Sequence, residues 1–353
     1  MNDIYQWAVV GAGPAGIAAV GKLLDAGISA HQILWIDPNF KVGDFGLLWR
    51  NVSSNTRALL FTKFLEAVKA FSYSEIKAES SLNQIPPDQT CSLYHMAEPL
   101  QWISDKLCES VPSKLDYIHS LKLEAQCWTL ESQQARYHAR QVILATGAEP
   151  ISLSYESIES IPFAIAIDKD RLEQVIKPQK TYAVFGSSHS AVMIVRYLVE
   201  LGVEQIINFY RSPCCYALNM DDWILFDNTG LKGDTARWAK EYIDGKMPAN
   251  LKRRLSTQAN IERYLPDCDK AIYAVGFEPR RSIQMGELSV NHYNEHLGII
   301  APGLFGFGIA YPEATTDPFG NVEYQVGLWK FMNYLEKVLP IWLHYSAVTS
   351  PEK

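Results

Sequence analysis

The first residues with a recognisable chemical purpose form a glycine-rich turn near the start of the chain. An apolar run ends there, and the G-x-G-x-x-G spacing follows in Gly11, Ala12, Gly13, Pro14, Ala15 and Gly16. In such a turn the first glycine permits the bend, the second lets backbone approach a pyrophosphate, and the third lets helix and strand pack closely. The N-terminus of the following helix faces the phosphate charge.

A second buried strand, which ends at Asp37, completes the pattern. We expect its carboxylate to accept hydrogen bonds from the ribose of an adenosine; the alternative is a solvated acid at a strand end. Strand, turn, helix and acid together predict a site for the ADP half of a dinucleotide.

The same design recurs in the middle of the chain, with its glycines reduced to G-x-S-x-x-A. An apolar strand enters a turn of small residues, a helix ends at Gly202, and a further strand ends at Arg211 and Ser212; the turn comprises Gly186, Ser187, Ser188, His189 and Ser190. Serine and alanine are still small enough for backbone to approach a phosphate. We therefore predict a second nucleotide unit.

Arg211 stands where the first unit has an acid. A cation there would pair with a ribose 2′-phosphate, which favours NADPH over NADH. The alternative is a solvated arginine at a strand end. His189 either contacts the same nucleotide or simply begins the helix. The basic run Lys252 to Arg254 is interpreted as a solvated helix face, with phosphate binding as its alternative.

Two further predicted strands help to position these units. One strand follows each unit along the chain, and each strand ends in glycine. Their ends make Thr146, Gly147 and Gly276 candidate cofactor contacts. We predict an α/β fold with two Rossmann-like, doubly wound nucleotide-binding domains, the second inserted in the first. The first domain is expected to comprise residues 1–160 and 286–353, and the second residues 161–285. Such an insertion would bring two dinucleotides face to face.

Composition agrees with a globular protein and narrows the classes of partner. The chain has 353 residues, of which 48% are hydrophobic and 20% charged, and its net charge is −7. This acidity argues against nucleic-acid and anionic-lipid partners. No apolar run is long enough to span a bilayer, and the apolar stretch 338–343 is predicted to be a packed segment rather than an anchor. With no room for a signal peptide before the first strand, we expect a cytoplasmic protein.

The cysteine spacing bears on the chemistry. Six cysteines show neither C-x-x-C nor C-x-x-x-x-C spacing, which argues against a zinc site or a redox-active dithiol. Cys214 and Cys215 are adjacent, and either a vicinal disulfide or two reduced thiols remains open.

This layout resembles the superfamily of two-domain FAD and NAD(P)H flavoproteins over nearly the whole chain. The resemblance implies that the first unit holds FAD and the inserted unit holds NADPH, whose nicotinamide donates a hydride to the flavin. In such enzymes the protein supplies binding, orientation and electrostatics.

Two stretches resemble the flavin-containing monooxygenases more closely. A glycine and tryptophan, Gly46 and Trp49, precede a serine–asparagine pair that ends in Asn55. The resemblance implies that Asn55 hydrogen-bonds a flavin peroxide or the nicotinamide, and that Trp49 contacts cofactor. The alternatives are a loop asparagine and a core aromatic residue.

The second stretch runs from a strand through glycine and proline to a predicted helix start at residues 323–325. The resemblance implies that Gly308, Pro312 and Gln325 lie near the isoalloxazine, with Gln325 a second catalytic candidate. The alternative is an ordinary turn and helix start. The chain departs from the family in having no histidine between Gly147 and Thr181, where the family fingerprint has one.

Three functions therefore remain open. The leading one is an FAD-dependent, NADPH-using monooxygenase that acts on a small molecule through a flavin C4a-peroxide. The second is an NAD(P)H-dependent reductase that passes electrons to another acceptor without a redox disulfide. The third is a catalytically degenerate flavoprotein that serves as a sensor or binding module.

Overall fold

The computed structural model describes residues 4–153, 155, 158–286 and 292–345. The chain divides into two compact units, of which the first comprises Met1–Ala148, Pro279–Thr316 and Tyr324–Lys353. The second comprises Glu149–Glu278 and Asp317–Glu323. The predicted α/β class, with one nucleotide-binding fold inserted in another, is confirmed. The joints near 148 and 279 differ from the sequence-derived boundaries at 160 and 286.

In its described residues, the first stretch of the first unit carries eight strands and four α-helices. The strands are β1 (Ile4–Val10), β2 (Ile33–Asp37), β3 (Ser53–Arg57), β4 (Thr90–Ser92), β5 (Ser113–Leu115), β6 (Ser120–Glu124), β7 (Cys127–Glu131) and β8 (Arg136–Leu144). The helices are α1 (Pro14–Asp25), α2 (Gly43–Leu47), α3 (Ala58–Glu66) and α4 (Tyr94–Ser110).

The middle of the chain carries the elements of the second unit and its connections. Its strands are β9 (Ala148–Pro150), β10 (Glu159–Ser160), β11 (Thr181–Phe185), β12 (Gln205–Tyr210), β13 (Leu218–Met220), β14 (Trp223–Leu225), β15 (Leu251–Leu255), β16 (Lys270–Tyr273) and β17 (Phe277–Pro279). Its helices are α5 (Phe163–Ala166), α6 (Lys169–Val175), α7 (His189–Glu200), α8 (Gly233–Trp238) and α9 (Gln258–Tyr264). The chain ends with β18 (Ile299–Ala301), β19 (Leu304–Gly306), β20 (Glu313–Thr316), β21 (Val322–Gln325) and α10 (Leu328–His344).

A mostly parallel sheet forms the first unit, in the order β18-β19-β8-β1-β2-β5, and the hairpin of β6 and β7 extends β8 on an antiparallel branch. β1 lies between β2 and β8 and is parallel to both. The chain therefore crosses over in opposite directions on either side of β1. Ligands of open α/β sheets bind at this kind of switch point, outside the carboxyl ends of the strands.

The C-terminal helix α10 packs into the core of the first unit. Its residues Leu335, Val338 and Trp342 are buried, and the Trp342 ring stacks on Phe305 with 4.8 Å between ring centroids. The prediction that the apolar stretch at 338–343 is a packed segment is confirmed.

None of the helices in the described part of the chain combines the length and the apolar character that a membrane crossing requires.

The second unit is built on a five-stranded parallel sheet in the order β10-β16-β11-β12-β15. β11 lies between β12 and β16, as β1 lies between β2 and β8. Paired residues of β11, β12 and β16 pack their rings together, with 4.8 Å between the ring centroids of Phe185 and Phe209 and 5.2 Å between those of Phe185 and Tyr273. The switch point of this sheet is at the carboxyl end of β11.

Two local predictions are wrong. Glu323 and Gln325 lie on strand β21 rather than at a helix start, and α10 begins only at Leu328. Val322 and Tyr324 are exposed and alternate with these polar residues, a period of two that is typical of a strand. The basic run at Lys252 lies on strand β15, not on a helix, because three residues are too few to show a helical period.

Candidate functional site

The first turn has a backbone geometry that only glycine satisfies at two positions. Gly11 has φ of +111°, and a Cβ there would lie 2.3 Å from the carbonyl oxygen of Ala145. A Cβ on Gly16 would lie 1.9 Å from the carbonyl oxygen of Gly11. The N–H of Gly11 donates to the Ile36 carbonyl at 2.8 Å, which joins the turn to β2. The spacing of these glycines is therefore a packing requirement of the fold.

Two side chains of β2 form hydrogen bonds with the C=O and the N–H of the peptide group between Gly11 and Ala12. Trp35 Nε1 donates to the Gly11 carbonyl at 2.9 Å, and the N–H of Ala12 donates to Asp37 Oδ2 at 2.7 Å. Asp37 Oδ1 also accepts the N–H groups of Asn39 and Phe40, each at 2.8 Å. A carboxylate offers about four acceptor positions, so three backbone bonds leave one for a ribose hydroxyl.

The backbone at Gly13 is open in the way that a pyrophosphate site requires. The nearest atom to a Cβ on Gly13 would be the Val42 carbonyl oxygen, at 3.9 Å. Gly13 is the N-cap of α1, and Pro14 at the first helical position lacks an N–H. The remaining amides of the first turn of α1 have no partner within the helix and point at this space. These residues fit the phosphates of FAD.

Three other predicted residues lie around this turn. Gly308 approaches so closely that a Cβ on it would lie 2.6 Å from the Ala15 methyl group. Thr146 Oγ1 donates to the Arg280 carbonyl at 2.6 Å, and the Arg280 N–H donates to the Gly147 carbonyl at 2.9 Å. The structure thus places Gly308 beside the first turn. Thr146 and Gly147 directly follow Ala145, which contacts that turn.

The sequence analysis missed an ion pair in the same region. Arg280 lies 2.7 Å from Asp44 Oδ2, and both side chains are half-buried. Asp44 follows Gly43, whose own Cβ would lie 3.1 Å from the Cα of Gly13. No local pattern points to this pair, because its two residues come from different segments of the first unit that are far apart in the sequence.

The second turn keeps the geometry of the first despite its altered residues. Gly186 has φ of +125°, and a Cβ there would lie 2.3 Å from the Ala274 carbonyl oxygen. Ser188, the N-cap of α7, has φ −86° and ψ −176°, while Gly13 has φ −72° and ψ 178°. A serine adopts this extended conformation without strain. Ala191 replaces the third glycine and is buried against the turn.

Asn208 donates a hydrogen bond to the first glycine of the second turn, as Trp35 does to the first glycine of the first turn. Its Nδ2 donates to the Gly186 carbonyl at 2.8 Å and to the Val184 carbonyl at 3.0 Å. The two side chains occupy equivalent places, since Trp35 is paired with Val9 and Asn208 with Val184. Asn208 is only 2% exposed. The sequence analysis did not single out Asn208, although a side-chain amide within an otherwise apolar strand was a signal in the sequence.

His189 begins α7 and is neutral at physiological pH. Burial, with a smaller contribution from the nearby Lys232 charge, lowers the pKa of His189 from 6.5 to about 4. Its Nε2 lies 3.5 Å from Thr235 Oγ1, and its buried Nδ1 has no hydrogen-bond partner in the described part of the chain. His189 therefore adds no positive charge to the turn. Ser190 follows it as the second residue of α7.

The remaining candidates of the second unit lie at strand ends. Arg211 and Ser212 are exposed and directly follow β12, and Gly276 follows β16 with φ of +117°. Parallel strands bring β12 and β16 to the same edge of the sheet as the turn at Gly186.

The remaining candidates of the first unit make contacts with their own neighbours. Asn55 is exposed on β3, where its Oδ1 lies 3.5 Å from Thr56 Oγ1, and Gln325 Nε2 donates to Thr315 Oγ1. Trp49 is half-buried after α2. The Pro312 carbonyl accepts a 3.3 Å hydrogen bond from the Tyr293 hydroxyl.

All six cysteines carry free thiols, including the adjacent Cys214 and Cys215. Burial raises the pKa of both thiols above the usual range.

Comparison with known proteins gives a family match and several similar proteins. Residues 5–300 match the family model described as pyridine nucleotide-disulphide oxidoreductase. The monooxygenase AgnR1 of Paecilomyces divaricatus is 33% identical, over 95% of this chain and 97% of that protein.

Two solved structures share the fold at low identity. An ornithine N-hydroxylase of Kutzneria sp. 744, solved with reduced FAD, NADP⁺ and ornithine, has a TM-score of 0.67 at 14% identity over 97% of this chain and 99% of that one. The bacillithiol disulfide reductase of Staphylococcus aureus has a TM-score of 0.63 at 10% identity over 98% and 99%.

Replacement of Gly13 by alanine tests the role of the open backbone. The added methyl group has room in the protein, so we expect Gly13→Ala to fold normally but to bind FAD at least about tenfold more weakly, a loss of about 1.4 kcal/mol. The measurement is flavin absorbance per protein during titration of the apoprotein, together with its melting temperature. Gly16→Ala is the contrast, because its methyl group would clash with backbone and should lower the melting temperature itself. Wild-type FAD affinity in Gly13→Ala would contradict the assignment.

The low pKa of His189 predicts a pH-dependent stability. Between pH 6.5 and about 4 the unfolded chain binds a proton at this residue that the folded chain excludes, so stability falls as the pH is lowered. At pH 5 we expect the loss to be about 2 kcal/mol relative to pH 7. Urea denaturation at both pH values should show this loss in the wild type but not in His189→Gln. The exposed His31 provides the control, and identical pH dependence in His31→Gln and His189→Gln would refute the prediction.

Proposed function

The chain belongs to the pyridine nucleotide-disulphide oxidoreductase family, and we propose that this FAD-dependent oxidoreductase is an NADPH-using monooxygenase of a small molecule. The resemblance to two-domain flavoproteins with monooxygenase relatives is confirmed by the family match and by the 33% identical relative. The observation that carries the NADPH proposal is the contrast between two turns of like backbone. A carboxylate, Asp37, ends the second strand of one, whereas Arg211 follows that of the other.

The residues around the first turn would hold FAD. The open backbone at Gly13 and the amides of α1 bind the pyrophosphate, and Asp37 keeps one acceptor position for the ribose. Bound there, FAD would supply hydride acceptance from NADPH and oxygen activation as a C4a-peroxide. Gly308 lies against Ala15 at the start of α1, so the backbone that follows β19 is within reach of the same ligand.

Asn55 and Gln325 are the proposed side chains for the reacting end of the flavin. The Nδ2 of Asn55 donates to no acceptor among the described residues, so it is available to a ligand. A neutral amide donates a hydrogen bond without delivering a proton, which suits an oxygen species that protonation would discharge. The Nε2 of Gln325 donates a hydrogen bond to Thr315, and this bond orients the Gln325 side chain. The Oε1 of Gln325 is left as an acceptor.

The free cysteines support oxygen chemistry over disulfide chemistry. A disulfide reductase of this family passes electrons through a cysteine pair, whereas the cysteines of this chain, including the adjacent Cys214 and Cys215, show neither C-x-x-C nor C-x-x-x-x-C spacing and carry free thiols. Burial raises the pKa of these thiols, which lowers their thiolate fraction and hence their reactivity.

Reaction of the reduced enzyme with oxygen tests the monooxygenase proposal. Rapid mixing should give a transient with near-ultraviolet absorbance before oxidised flavin returns, and Asn55→Ala should shorten its life at least about fivefold through loss of about 1 kcal/mol of hydrogen bonding. The exposed Asn83 serves as the control, since Asn83→Ala should leave the lifetime unchanged. Direct reoxidation without a transient would support the reductase, and FAD that NADPH does not reduce anaerobically would support the binding module.

Arg211→Ala tests the choice of nicotinamide cofactor. Loss of a cation paired with a 2′-phosphate should weaken NADPH at least about tenfold, or about 1.4 kcal/mol, and change NADH less than about twofold. The dissociation constants are obtained by anaerobic titration of the flavin absorbance. Arg171→Ala, an exposed arginine of α6, should alter neither constant. Equal weakening of both cofactors by Arg211→Ala would overturn the assignment.

A further inference from the structure

Arg253, on β15 of the second unit, is a half-buried cation that forms no ion pair within the described part of the chain. Its Nε donates to Asn208 Oδ1 at 2.8 Å, and its guanidinium carbon lies 4.2 Å from the centre of the Tyr210 ring. One terminal nitrogen of the guanidinium is buried and has no hydrogen-bond partner, and no carboxylate of the described residues forms an ion pair with it. A buried N–H without a hydrogen-bond partner is costly, so an anionic acceptor would complete this arrangement.

The groups nearest to Arg253 do not supply that anion. Burial raises the pKa of the Cys214 thiol, although the Arg253 charge and a side-chain hydrogen bond with Arg253 oppose the shift, so Cys214 contacts Arg253 as a neutral thiol at neutral pH. Asp244 also acts on Cys214, but its carboxylate accepts a hydrogen bond from the Tyr216 hydroxyl. The counter-ion is therefore expected to arrive with a ligand.

Asn208 joins Arg253 to the nucleotide turn. Its Nδ2 donates to the Gly186 carbonyl, while its Oδ1 is occupied by Arg253. Because the peptide bond is planar and trans, a Gly186 carbonyl that points to Asn208 directs the Ser187 N–H the opposite way. None of the described residues accepts a hydrogen bond from the Ser187 N–H, whereas the equivalent N–H of Ala12 donates to Asp37. The second turn thus keeps a donor for a phosphate.

The strand register places Arg253 on the face of the sheet that carries Asn208 and Tyr210, near the carboxyl end from which the chain passes to Arg211. Arg253 pairs with Asn208 and Arg254 with Phe209, so the two arginines point to opposite faces. The Arg254 guanidinium accordingly lies over Tyr264, 4.9 Å from its ring centre. The Arg253 guanidinium covers the ring of Tyr210, which directly precedes Arg211 in the chain.

We propose that Arg253 is a second specificity-determining residue for the 2′-phosphate of NADPH, held in place by Asn208 and Tyr210. The proposal rests on the proposed use of NADPH. A phosphate monoester carries about −1.5 to −2 charges at neutral pH, so Arg211 by itself leaves part of that charge unpaired. The adenosine ribose of a dinucleotide lies over the carboxyl end of the second strand of its unit, which is the end of β12 here.

Binding of nucleotide fragments to the FAD-loaded enzyme tests this inference without catalysis. Calorimetry with 2′,5′-ADP and with ADP separates the phosphate from the rest of the ligand, and bound FAD fills the first turn. In Arg253→Met we expect 2′,5′-ADP to bind at least about tenfold more weakly and ADP to change less than about threefold. Arg254→Met, the neighbouring arginine on the opposite face, should keep the wild-type ratio of the two affinities.

The possible outcomes separate this inference from the NADPH proposal. If the wild type binds both fragments equally, NADPH preference fails. If the wild type prefers 2′,5′-ADP and Arg253→Met keeps that preference, only the role of Arg253 is overturned. Flavin absorbance and melting temperature report whether Arg253→Met folds. Should it not fold, Arg253→Lys decides: it keeps the charge but loses the planar fork, so its preference should fall at least about threefold, and an unchanged preference overturns the proposal.

Discussion

The two nucleotide turns depend on one kind of hydrogen bond, from a side-chain N–H of the second strand to the carbonyl of the first glycine. Trp35 makes it to Gly11 and Asn208 makes it to Gly186. Because a peptide unit is planar, the direction of each carbonyl also sets the direction of the next N–H. The placement of that one peptide, together with the close packing of Gly11 on Ala145 and of Gly186 on Ala274, sets the path of the chain into each helix.

Similar backbones then differ in the charge that surrounds them. In the first unit the N–H after Gly11 is given to Asp37, so the turn and the acid are bound to each other. In the second unit none of the described residues accepts the equivalent N–H of Ser187, and no described carboxylate forms an ion pair with Arg253 or Arg211. Under the proposed function the choice of ligand would rest on electrostatics, because the backbone conformation is alike in both units.

Much of this arrangement was predictable because its causes are local. A strand that ends in Gly11 or Gly186 and passes into a helix needs positive φ and close packing, and the glycine spacing records both needs. The β21 strand and the basic run on β15 were predicted as helical because short segments do not reveal their period. The bonds of Asp37 to backbone were also hidden, since they depend on how the loop after β2 folds back.

The sequence by itself determined the two nucleotide units, their insertion and the sign of the charge at each second strand end. These properties belong to residues within one strand–turn–helix segment, where periodicity and residue type are sufficient. Only the tertiary structure decided which distant residues meet: Asp44 with Arg280, Ala15 with Gly308, and Asn208 with Arg253. Such contacts depend on strand order and register, which arise from packing the whole chain and leave no local pattern in it.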